Sequence, residues 1–469
     1  MLTCTLWLAL SAAPTSTYAI VIGHNESTNP DATTLEFADD DAYQYAQLFA
    51  ELGASVELLT NADRDTARLY ASDTLNARPP TLENLRRAFD RFEAWEKIQS
   101  EPTTLYFVYA GHGDVKHGEG YLTLEDRELP RSQFYREVLD RAQATTAHVI
   151  IDACKSYLMV FDRSAQQQRR RFTGSFDQHG VLARWPHIGF LLSTSSAKNS
   201  HEWEAFQAGV FSHEVRSGLR GAADTDGDQQ ITYSELVAFV TWANQKIPNA
   251  KYVPEVMAAP PRTHAVLAYL NGRRTLDVDR GLGRHLIFES GAGIRLADLR
   301  REQPGPLMLP NTLVFARDGN EEYRIEASAE SLSELTPSAP ETRERGAEHE
   351  AFRLLFAEPF GPDALGAANR SLINRDALDL SRDWELDDNE QSRVGLWTGI
   401  GIGGALAVAG GAAFLYSDST YDRFLTASNN ERPDLQQRIE RADRAGWTLL
   451  GGAILTAGAS WLLYELDWL

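Results

Sequence analysis

Short apolar runs alternate with amphipathic segments over the first half of the chain, from Thr17 to about Lys246. The runs are TYAIVIG, ASVELLT, TLYFVYAG, AHVIIDAC and IGFLLSTSS, and each is continuous rather than alternating. Continuous runs of this kind are typical of strands buried on both faces of a mostly parallel sheet. The segments between them, DDAYQYAQLFAEL, TLENLRRAFDRFEAW and RSQFYREVLDRA, have helical spacing. The pattern therefore predicts an α/β domain with helices on both faces of the sheet.

Beyond this region the pattern changes to short strands separated by Gly, Pro and Asn turns. HLIFES, GIRLADL, TLVFARD, EEYRIEAS and FRLLFAEPF are such strands. They predict a small β-rich, sandwich-like module over residues 284–360. An acidic linker over residues 361–393 follows, and it contains DLSRDWELDDNEQ.

Two uncharged apolar stretches lie near the C-terminus, over residues 394–416 and 446–464. Each has roughly the 20 residues that a membrane helix requires, and glycines four residues apart in the first suit close helix packing in lipid. We predict a C-terminal transmembrane helical hairpin; the alternative is a buried helical hairpin of a soluble domain. The loop over residues 417–444 contains several arginines and the tail has none, so the positive-inside rule places the loop in the cytoplasm.

The N-terminal segment, residues 1–15, contains the apolar run LTCTLWLALSAA. Its length suits the core of a signal peptide and is too short to span a bilayer. No Lys or Arg precedes the run, so a misassigned start or a first strand with an unusual leader is the alternative. The expected location is the cell membrane, with the first domain on the extracytoplasmic side, periplasmic or exported.

Length and charge narrow the classes of protein to which the chain can belong. A chain of 469 residues is too long for one ordinary core, so two or three domains are expected. The formal net charge of −21 argues against a nucleic-acid partner, because nucleic-acid binders need a basic face. An acidic protein that handles basic peptides or cations fits this charge.

His112 and Cys154 each follow the end of a predicted strand, in FVYAGHG and IIDACKS. Neighbouring strands of a doubly wound sheet bring such residues to one edge, where an imidazole can take the proton of a thiol and leave a nucleophilic thiolate. The flanking glycines, Gly111 and Gly113, can turn their N–H groups toward a developing oxyanion. Taken alone, each residue is more often ordinary, the cysteine in a core and the histidine in a turn.

These two motifs resemble those of the caspase-like cysteine peptidases, a clan that includes metacaspases and many bacterial relatives. The resemblance covers about residues 17–246 and implies a caspase-like three-layer domain over residues 16–265. It implies a dyad of Cys154 as nucleophile and His112 as base, with the N–H groups of Gly113 and Cys154 as oxyanion donors. Peptide bonds would then be cleaved through an acyl-enzyme.

The sequence around the nucleophile also departs from the clan. The D-x-C-H-S-G pattern of metacaspases is D-A-C-K-S-Y here, so Lys155 and Tyr157 differ from it and put the local loop conformation in question. The later run Arg169–Arg171 is a candidate site of self-cleavage, although exposed arginine runs are usually only solvated.

Acidic residues near the two motifs carry an expectation about specificity. Asp152 stands where caspases carry Gln, and Asp41 begins an Asp-Ala pair that metacaspase-like members share. In those members the equivalent acids form a pocket for Arg or Lys, so the resemblance implies that Asp152 and Asp41 bind a basic substrate residue. For Asp39 and Asp40, capping of the following helix is the favoured interpretation.

The segment DTDGDQQITYSE, residues 224–235, has the ligand spacing of an EF-hand calcium loop. The oxygen-bearing ligand positions are Asp224, Asp226, Asp228, Gln230, Thr232 and Glu235. The departure is Gln229, which stands where glycine normally makes the sharp turn, and the motif is single. We expect Ca²⁺ at this loop, in a structural role or as a control of the peptidase. The alternative is a solvated acidic loop that caps the following helix.

Together these features predict a caspase-like cysteine endopeptidase that cleaves protein or peptide substrates after basic residues and is anchored in the cell envelope. The alternative from another class is a catalytically silent caspase-fold scaffold or sensor at the membrane. A third hypothesis is a transferase, in which an amine instead of water resolves the same acyl-enzyme.

Overall fold

The computed structural model describes residues 16–29, 33–71, 75–116, 119–154, 156–160, 184–194, 202–203, 208–248, 253–262, 266–339, 354–370, 372, 407, 409–420, 423 and 431–465. The chain divides into two compact units, Met1–Leu380 and Ser381–Leu469. The predicted signal peptide at residues 1–15, the candidate self-cleavage site Arg169–Arg171 and residues 373–393 of the predicted linker lie outside the described residues.

The strands of the first unit are, in chain order, β1 (Ser16–His24), β2 (Ser55–Thr60), β3 (Thr103–Gly111), β4 (Gly113–Lys116), β5 (Glu119–Thr123), β6 (Glu128–Pro130), β7 (Thr146–Asp152), β8 (Ile188–Thr194), β9 (Glu202–Trp203), β10 (Ala208–Gly209), β11 (Gln230–Thr232), β12 (Glu255–Ala259), β13 (Val266–Tyr269), β14 (Thr275–Val278), β15 (Leu286–Ser290), β16 (Arg295–Leu299), β17 (Gly305–Met308), β18 (Val314–Asp318) and β19 (Glu321–Ile325). The α-helices of the described residues are α1 (Ala38–Glu51), α2 (Arg64–Leu69), α3 (Leu82–Glu96), α4 (Arg131–Phe134), α5 (Val210–Ser217), α6 (Tyr233–Ala243) and α7 (Arg432–Glu465). Wider π-helical turns extend α4 and α5.

Within the described residues, a six-stranded sheet forms the centre of the first unit, in the order β12-β8-β7-β3-β1-β2. The five strands predicted from the apolar runs pair in parallel, and β12 adds to one edge in the antiparallel direction. The prediction of an α/β domain with a mostly parallel sheet is therefore confirmed. Strand β12 and the antiparallel β4-β5-β6 sheet were not predicted, because each strand is short and lacks a strong apolar run.

Side chains from the two faces of the sheet enter two separate apolar cores, because successive residues of a strand point to opposite sides. Ala19 and Val21 pack with residues of α1, α5 and α6, whereas Ile20 and Ile22 pack with residues of α3 and α4. Helices on both faces make the three-layer arrangement that the sequence predicts. The continuous apolar runs of the strands follow directly from this double burial.

Helix α3 shows how the sequence sets a helix and its buried face. The side chain of Thr81 accepts a hydrogen bond from Asn84 N (3.2 Å), which satisfies one of the unpaired amides of the first turn. Leu85, Phe89 and Phe92 recur at helical spacing and are fully buried in the second core.

The β-rich region has a four-stranded antiparallel sheet, in the order β16-β15-β18-β19, beside the β14–β17 pair. Its apolar residues, including Val278, Phe288 and Tyr323, belong to the same core cluster as Ala19 and Val21 of the central sheet. The region therefore packs on the sheet face that carries α1, α5 and α6. We call strands β14–β19 the β-rich module.

The predicted C-terminal transmembrane hairpin is wrong, because in the described part of the chain no helix is long and apolar enough to cross a membrane. Helix α7, which contains the second predicted span, begins at Arg432 and carries charges of both signs from Asp434 to Arg444. Charges at the start of a helix are costly to place in hydrocarbon. The same helix takes in the second part of the predicted 417–444 loop.

Candidate active site

His112 and Cys154 lie at matching positions on adjacent strands. In the parallel pairing of β3 with β7, Ala110 is the partner of Asp152. Both residues stand two positions beyond these partners, so they leave the sheet at the same carboxyl edge, as predicted from the sequence. A Cβ atom at Gly113 would lie 2.7 Å from the carbonyl oxygen of Cys154, which shows how closely the two segments approach.

The imidazole of His112 is oriented by a backbone carbonyl. Its Nε2 lies 3.2 Å from the carbonyl oxygen of Asn25, and because a carbonyl only accepts, Nε2 carries the proton in this contact. The other ring nitrogen, Nδ1, is then the one that can accept a proton from a thiol. Burial lowers the pKa of His112, and the carbonyl contacts of Asn25 and Thr33 oppose this effect.

Asn25 is itself fixed by the start of helix α1. Its side-chain oxygen accepts from Ala38 N (2.8 Å), and its amide nitrogen donates to Asp39 Oδ1 (2.8 Å). The amides at the helix start are thus satisfied from outside the helix, since Phe37 at the N-cap position makes no side-chain cap. Asn25 could not be found from the sequence pattern, because its role depends on its backbone oxygen rather than on its side chain.

Two glycines flank His112, and each is required for a different structural reason. Gly111 has φ +153, a value that other residues rarely adopt, and a Cβ there would lie 2.8 Å from the carbonyl oxygen of His24. Gly113 is needed for the close approach to Cys154 described above. The carbonyl oxygen of His112 accepts from Thr123 N (3.0 Å) and lies 2.8 Å from the hydroxyl of buried Tyr109, so the turn is held at both ends.

Asp152, at the end of β7, faces helix α5. Its Oδ2 accepts from both the hydroxyl (2.6 Å) and the amide N (3.2 Å) of Ser212. Burial raises the pKa of Asp152, and hydrogen bonds from Ser212 and Ser193 oppose this effect. The residue as a whole is half-buried, at the sheet edge that His112 and Cys154 follow.

Asp41, the other acid of the predicted pocket, lies close to Asp152 but is covered. A Cβ at Gly209 would be 2.9 Å from Asp152 Oδ2 and 3.1 Å from Asp41 Oδ2, so the two carboxylates flank this glycine. Asp41 Oδ1 pairs with Arg216 Nη1 at 2.6 Å, and the guanidinium lies 5.0 Å from the ring of Tyr45. Sequence reasoning missed Arg216 and Ser212, although their four-residue spacing places them on one face of a helix.

The neighbouring acids of α1 make contacts within the fold. Besides its bond to Asn25, Asp39 accepts from Asp63 N (2.8 Å), and Asp40 Oδ2 accepts from the hydroxyl of Thr66 (2.9 Å). Burial raises the pKa of Asp40 to about 8, and the charge of Asp39 adds to this effect. Both lie in the first turn of α1.

The predicted calcium loop brings three of its carboxylates together. Ligand atoms of Asp224, Asp226 and Glu235 all lie within 4.8 Å of one another, which makes them a candidate metal group among the described residues. Asp228 lies outside this group, and the side-chain amide of Gln230 donates to it (2.9 Å). This geometry therefore brings together part of the set of side-chain ligands that the spacing predicts.

The backbone of the loop makes the sharp turn of a calcium loop, although Gln229 replaces the usual glycine. Gln229 has φ 64, the left-handed conformation that glycine normally supplies at this position. Strand β11, which lies within the predicted calcium loop, pairs with β13 rather than with the strand of a second calcium loop. Glu235 already accepts from Thr225 and Thr232 and closes a capping box for α6, so a cation would share its oxygens with these donors.

Comparison with known proteins finds a family model and solved structures that are similar to this chain. The sequence model of the caspase domain family matches residues 16–263, more than half of the chain. Similar solved structures include caspase-1 from Spodoptera frugiperda, at 14% identity over 50% of this chain and 79% of that chain, with a TM-score of 0.31. Another is described as pro-sf-caspase-1, at 14% identity over 54% of this chain and 90% of that chain, with a TM-score of 0.32. No curated protein matches the sequence.

Proposed function

The chain belongs to the caspase domain family, and on that premise we propose that it is a cysteine endopeptidase in which Cys154 is the nucleophile and His112 the base. The observation that carries the proposal is the register of β3 and β7, in which Ala110 pairs with Asp152. Each catalytic side chain follows its partner by two residues. A scaffold without catalysis has no need for a thiol and an imidazole at these two positions.

The reaction follows from these residues. His112 accepts the thiol proton of Cys154, and the sulfur attacks the carbonyl carbon of the peptide bond. The N–H groups of Gly113 and Cys154 would stabilise the oxyanion that forms. The C–N bond then breaks as the imidazolium returns its proton to the leaving amine, and a thioester remains. A water molecule, deprotonated by His112, releases the acid and regenerates the thiol.

We propose further that the enzyme cleaves after basic residues. The support is the pair of acids, Asp152 and Asp41, at the same sheet edge as Cys154. A carboxylate that forms a charge-assisted hydrogen bond with a guanidinium is a strong determinant of specificity.

The experiment is hydrolysis of fluorogenic peptides that end in Arg or Lys by the full chain. We expect Cys154→Ala and His112→Ala to lose roughly 1,000-fold or more of the wild-type rate. The matched control is Cys4→Ala, which removes the other cysteine of the chain and should retain the rate. If the wild type cuts no peptide and no thiol-directed inhibitor labels Cys154, the protein is a silent scaffold. If added amines divert the product, it is a transferase.

We also propose that the loop at residues 224–235 binds Ca²⁺ through Asp224, Asp226 and Glu235, the residues whose ligand atoms lie within 4.8 Å of one another. When bound, Ca²⁺ would add positive charge to this acidic turn and tie it to the start of α6. The test is calcium titration by calorimetry and terbium luminescence. Asp224→Asn should weaken binding at least about tenfold because a charged ligand is lost, whereas Asp65→Asn on exposed α2 should leave it unchanged.

A further inference from the structure

Strand β4 begins directly after His112 and forms one edge of the small antiparallel sheet. In the described part of the chain β4 pairs with β5 alone, so one of its long sides has no partner strand there. Its first three residues are half-buried and the fourth, Lys116, is exposed, so the strand lies at the protein surface. A strand edge of this kind can accept a further strand through its main-chain groups.

The register of β4 and β5 decides which main-chain groups face the open edge. Thr123 N donates to the carbonyl oxygen of His112, the residue directly opposite (3.0 Å), so these two form a hydrogen-bonded pair. Opposite pairs alternate between bonded and non-bonded along an antiparallel ladder. Asp114 therefore bonds to β5, whereas Gly113 and Val115 turn their N–H and C=O groups away from it. The outward groups begin at the Gly113 N–H, the proposed oxyanion donor.

The open edge of β4 lies on one particular side of the candidate nucleophile. In the central sheet, β7, which leads to Cys154, lies between β8 and β3. Asp152 of the proposed pocket for a basic residue interacts with Ser193 of β8, whereas β4 continues the chain from β3. The pocket and the edge are thus on opposite sides of Cys154. A peptide that fills the pocket with the residue before the cleaved bond sends its following residues toward β4.

We propose that the open edge of β4 binds the substrate segment that follows the cleaved bond, as an added parallel strand. This inference rests on the proposed function and gives the leaving segment its binding site. With the scissile carbonyl at Gly113 N–H, the second residue after the bond donates its N–H to the Gly113 carbonyl and accepts from Val115 N–H. The N–H of the fourth residue then reaches the Val115 carbonyl. Such main-chain bonds do not depend on the side chains of the substrate.

N-methyl groups along the substrate test this pairing, because each removes one main-chain N–H. The probe is a quenched peptide with an arginine followed by four alanines, methylated in turn at the second, third or fourth residue after the cleaved bond. Methylation at the second or fourth residue should lower kcat/KM roughly 3- to 10-fold, the value of one hydrogen bond. The third residue is the matched control, because its N–H points away from β4 and its methylation should cost less than about twofold. Equal effects at the three positions overturn the proposal.

A proline in the strand makes the complementary change in the protein. Val115→Pro removes an N–H that β5 does not use, so the β4–β5 ladder is kept. The readout is the ratio of kcat/KM for the quenched peptide to kcat/KM for a fluorogenic peptide that ends at the arginine and cannot reach Val115. Val115→Pro should lower this ratio roughly 3- to 10-fold, whereas the control Val115→Ala, which keeps the N–H, should hold it within about twofold. An unchanged ratio in Val115→Pro, or an equal loss in Val115→Ala, overturns the proposal.

Binding of the same quenched peptides to the Cys154→Ala protein separates this inference from catalysis. If that protein binds them with the alternating N-methyl pattern while the wild type cuts nothing, the proposed peptidase fails and the assignment of the β4 edge stands. If the wild type cuts the fluorogenic peptide but the quenched peptides show no alternation, the peptidase stands and the edge assignment fails. A dimer that Val115→Pro converts to a monomer in light scattering would show that β4 pairs with a second copy of the chain, which also overturns the proposal.

Discussion

The imidazole Nε2 of His213 lies 2.8 Å from Asp298 Oδ2, and this buried contact joins helix α5 to strand β16 of the β-rich module. One turn further along, the hydroxyl of Ser217 accepts from the backbone N of Asp298 (3.1 Å). Ser212 and Arg216, on another face of the same helix, contact the two acids beside the candidate nucleophile. Helix α5 thus links the module to the site.

Asp298 is the central charge of this junction, so we expect its loss to destabilise the first unit. Asp298→Asn leaves buried Arg295 without the carboxylate that now holds it, at a cost of roughly 3–5 kcal/mol in the free energy of unfolding. Urea unfolding checks the value. The control Asp65→Asn makes the same charge change at an exposed position of α2 and should cost less than about 0.5 kcal/mol. Equal effects would contradict the prediction.

The pH dependence of stability should report on His213. Burial lowers the pKa of His213 to about 4, against the opposing effect of Asp298, whereas an unfolded histidine has a pKa of about 6.5. Between these values the unfolded chain binds more protons, so stability falls as pH decreases from about 6.5 to about 4. The loss is on the order of 3 kcal/mol.

The matched variant for this prediction is His213→Gln, which keeps an N–H donor toward Asp298 but does not titrate in this range. Unfolding free energies measured between pH 4 and 7 should fall less steeply for the variant than for the wild type. The same slope in both proteins would exclude His213 as the group responsible.

The sequence predicted the central sheet and the position of His112 and Cys154 at one edge of it, because both depend on local patterns. Continuous apolar runs mark doubly buried strands, and His112 and Cys154 follow the ends of two of them. Asn25 and Arg216 were missed, since one acts through its backbone oxygen and the other pairs with Asp41 across a long sequence separation. The transmembrane hairpin was wrong because apolar content was weighed without the charged start of the same helix.

Gly113 should be essential for activity because of the space it leaves. A Cβ there would lie 2.7 Å from the carbonyl oxygen of Cys154 and 3.1 Å from the Cβ of Ala153, so Gly113→Ala must push the two segments apart. A displacement of this kind costs roughly 100-fold in kcat/KM. The control is Gly291→Ala, whose added carbon meets its nearest atom at an ordinary 3.6 Å and should change neither activity nor melting temperature. Full activity in Gly113→Ala would contradict the prediction.

The acidic limb of the pH–rate profile should lie below pH 6.5. Burial lowers the pKa of His112, so the neutral imidazole that accepts the thiol proton persists to lower pH, and kcat/KM falls as pH decreases through that pKa. The charge of exposed Glu26 partly opposes the shift. Glu26→Gln should therefore move the limb to still lower pH, and a limb above pH 6.5, or a shift upward in the variant, would count against His112 as the base.

The left-handed residue of the candidate calcium loop offers a test of backbone strain. Gln229 has φ 64, at a position where glycine is the usual residue. Removing its Cβ relieves a clash that is worth about 1–2 kcal/mol. The added freedom of the unfolded chain offsets about 0.5–1 kcal/mol of this gain. Gln229→Gly should therefore stabilise the protein by about 0.5–1 kcal/mol in urea unfolding. It should also tighten Ca²⁺ binding, because the bound turn forms without strain. The neighbouring Gln230→Gly, within strand β11, should instead destabilise by about 0.5–1 kcal/mol, and stabilisation by both changes would mean that backbone strain is not the cause.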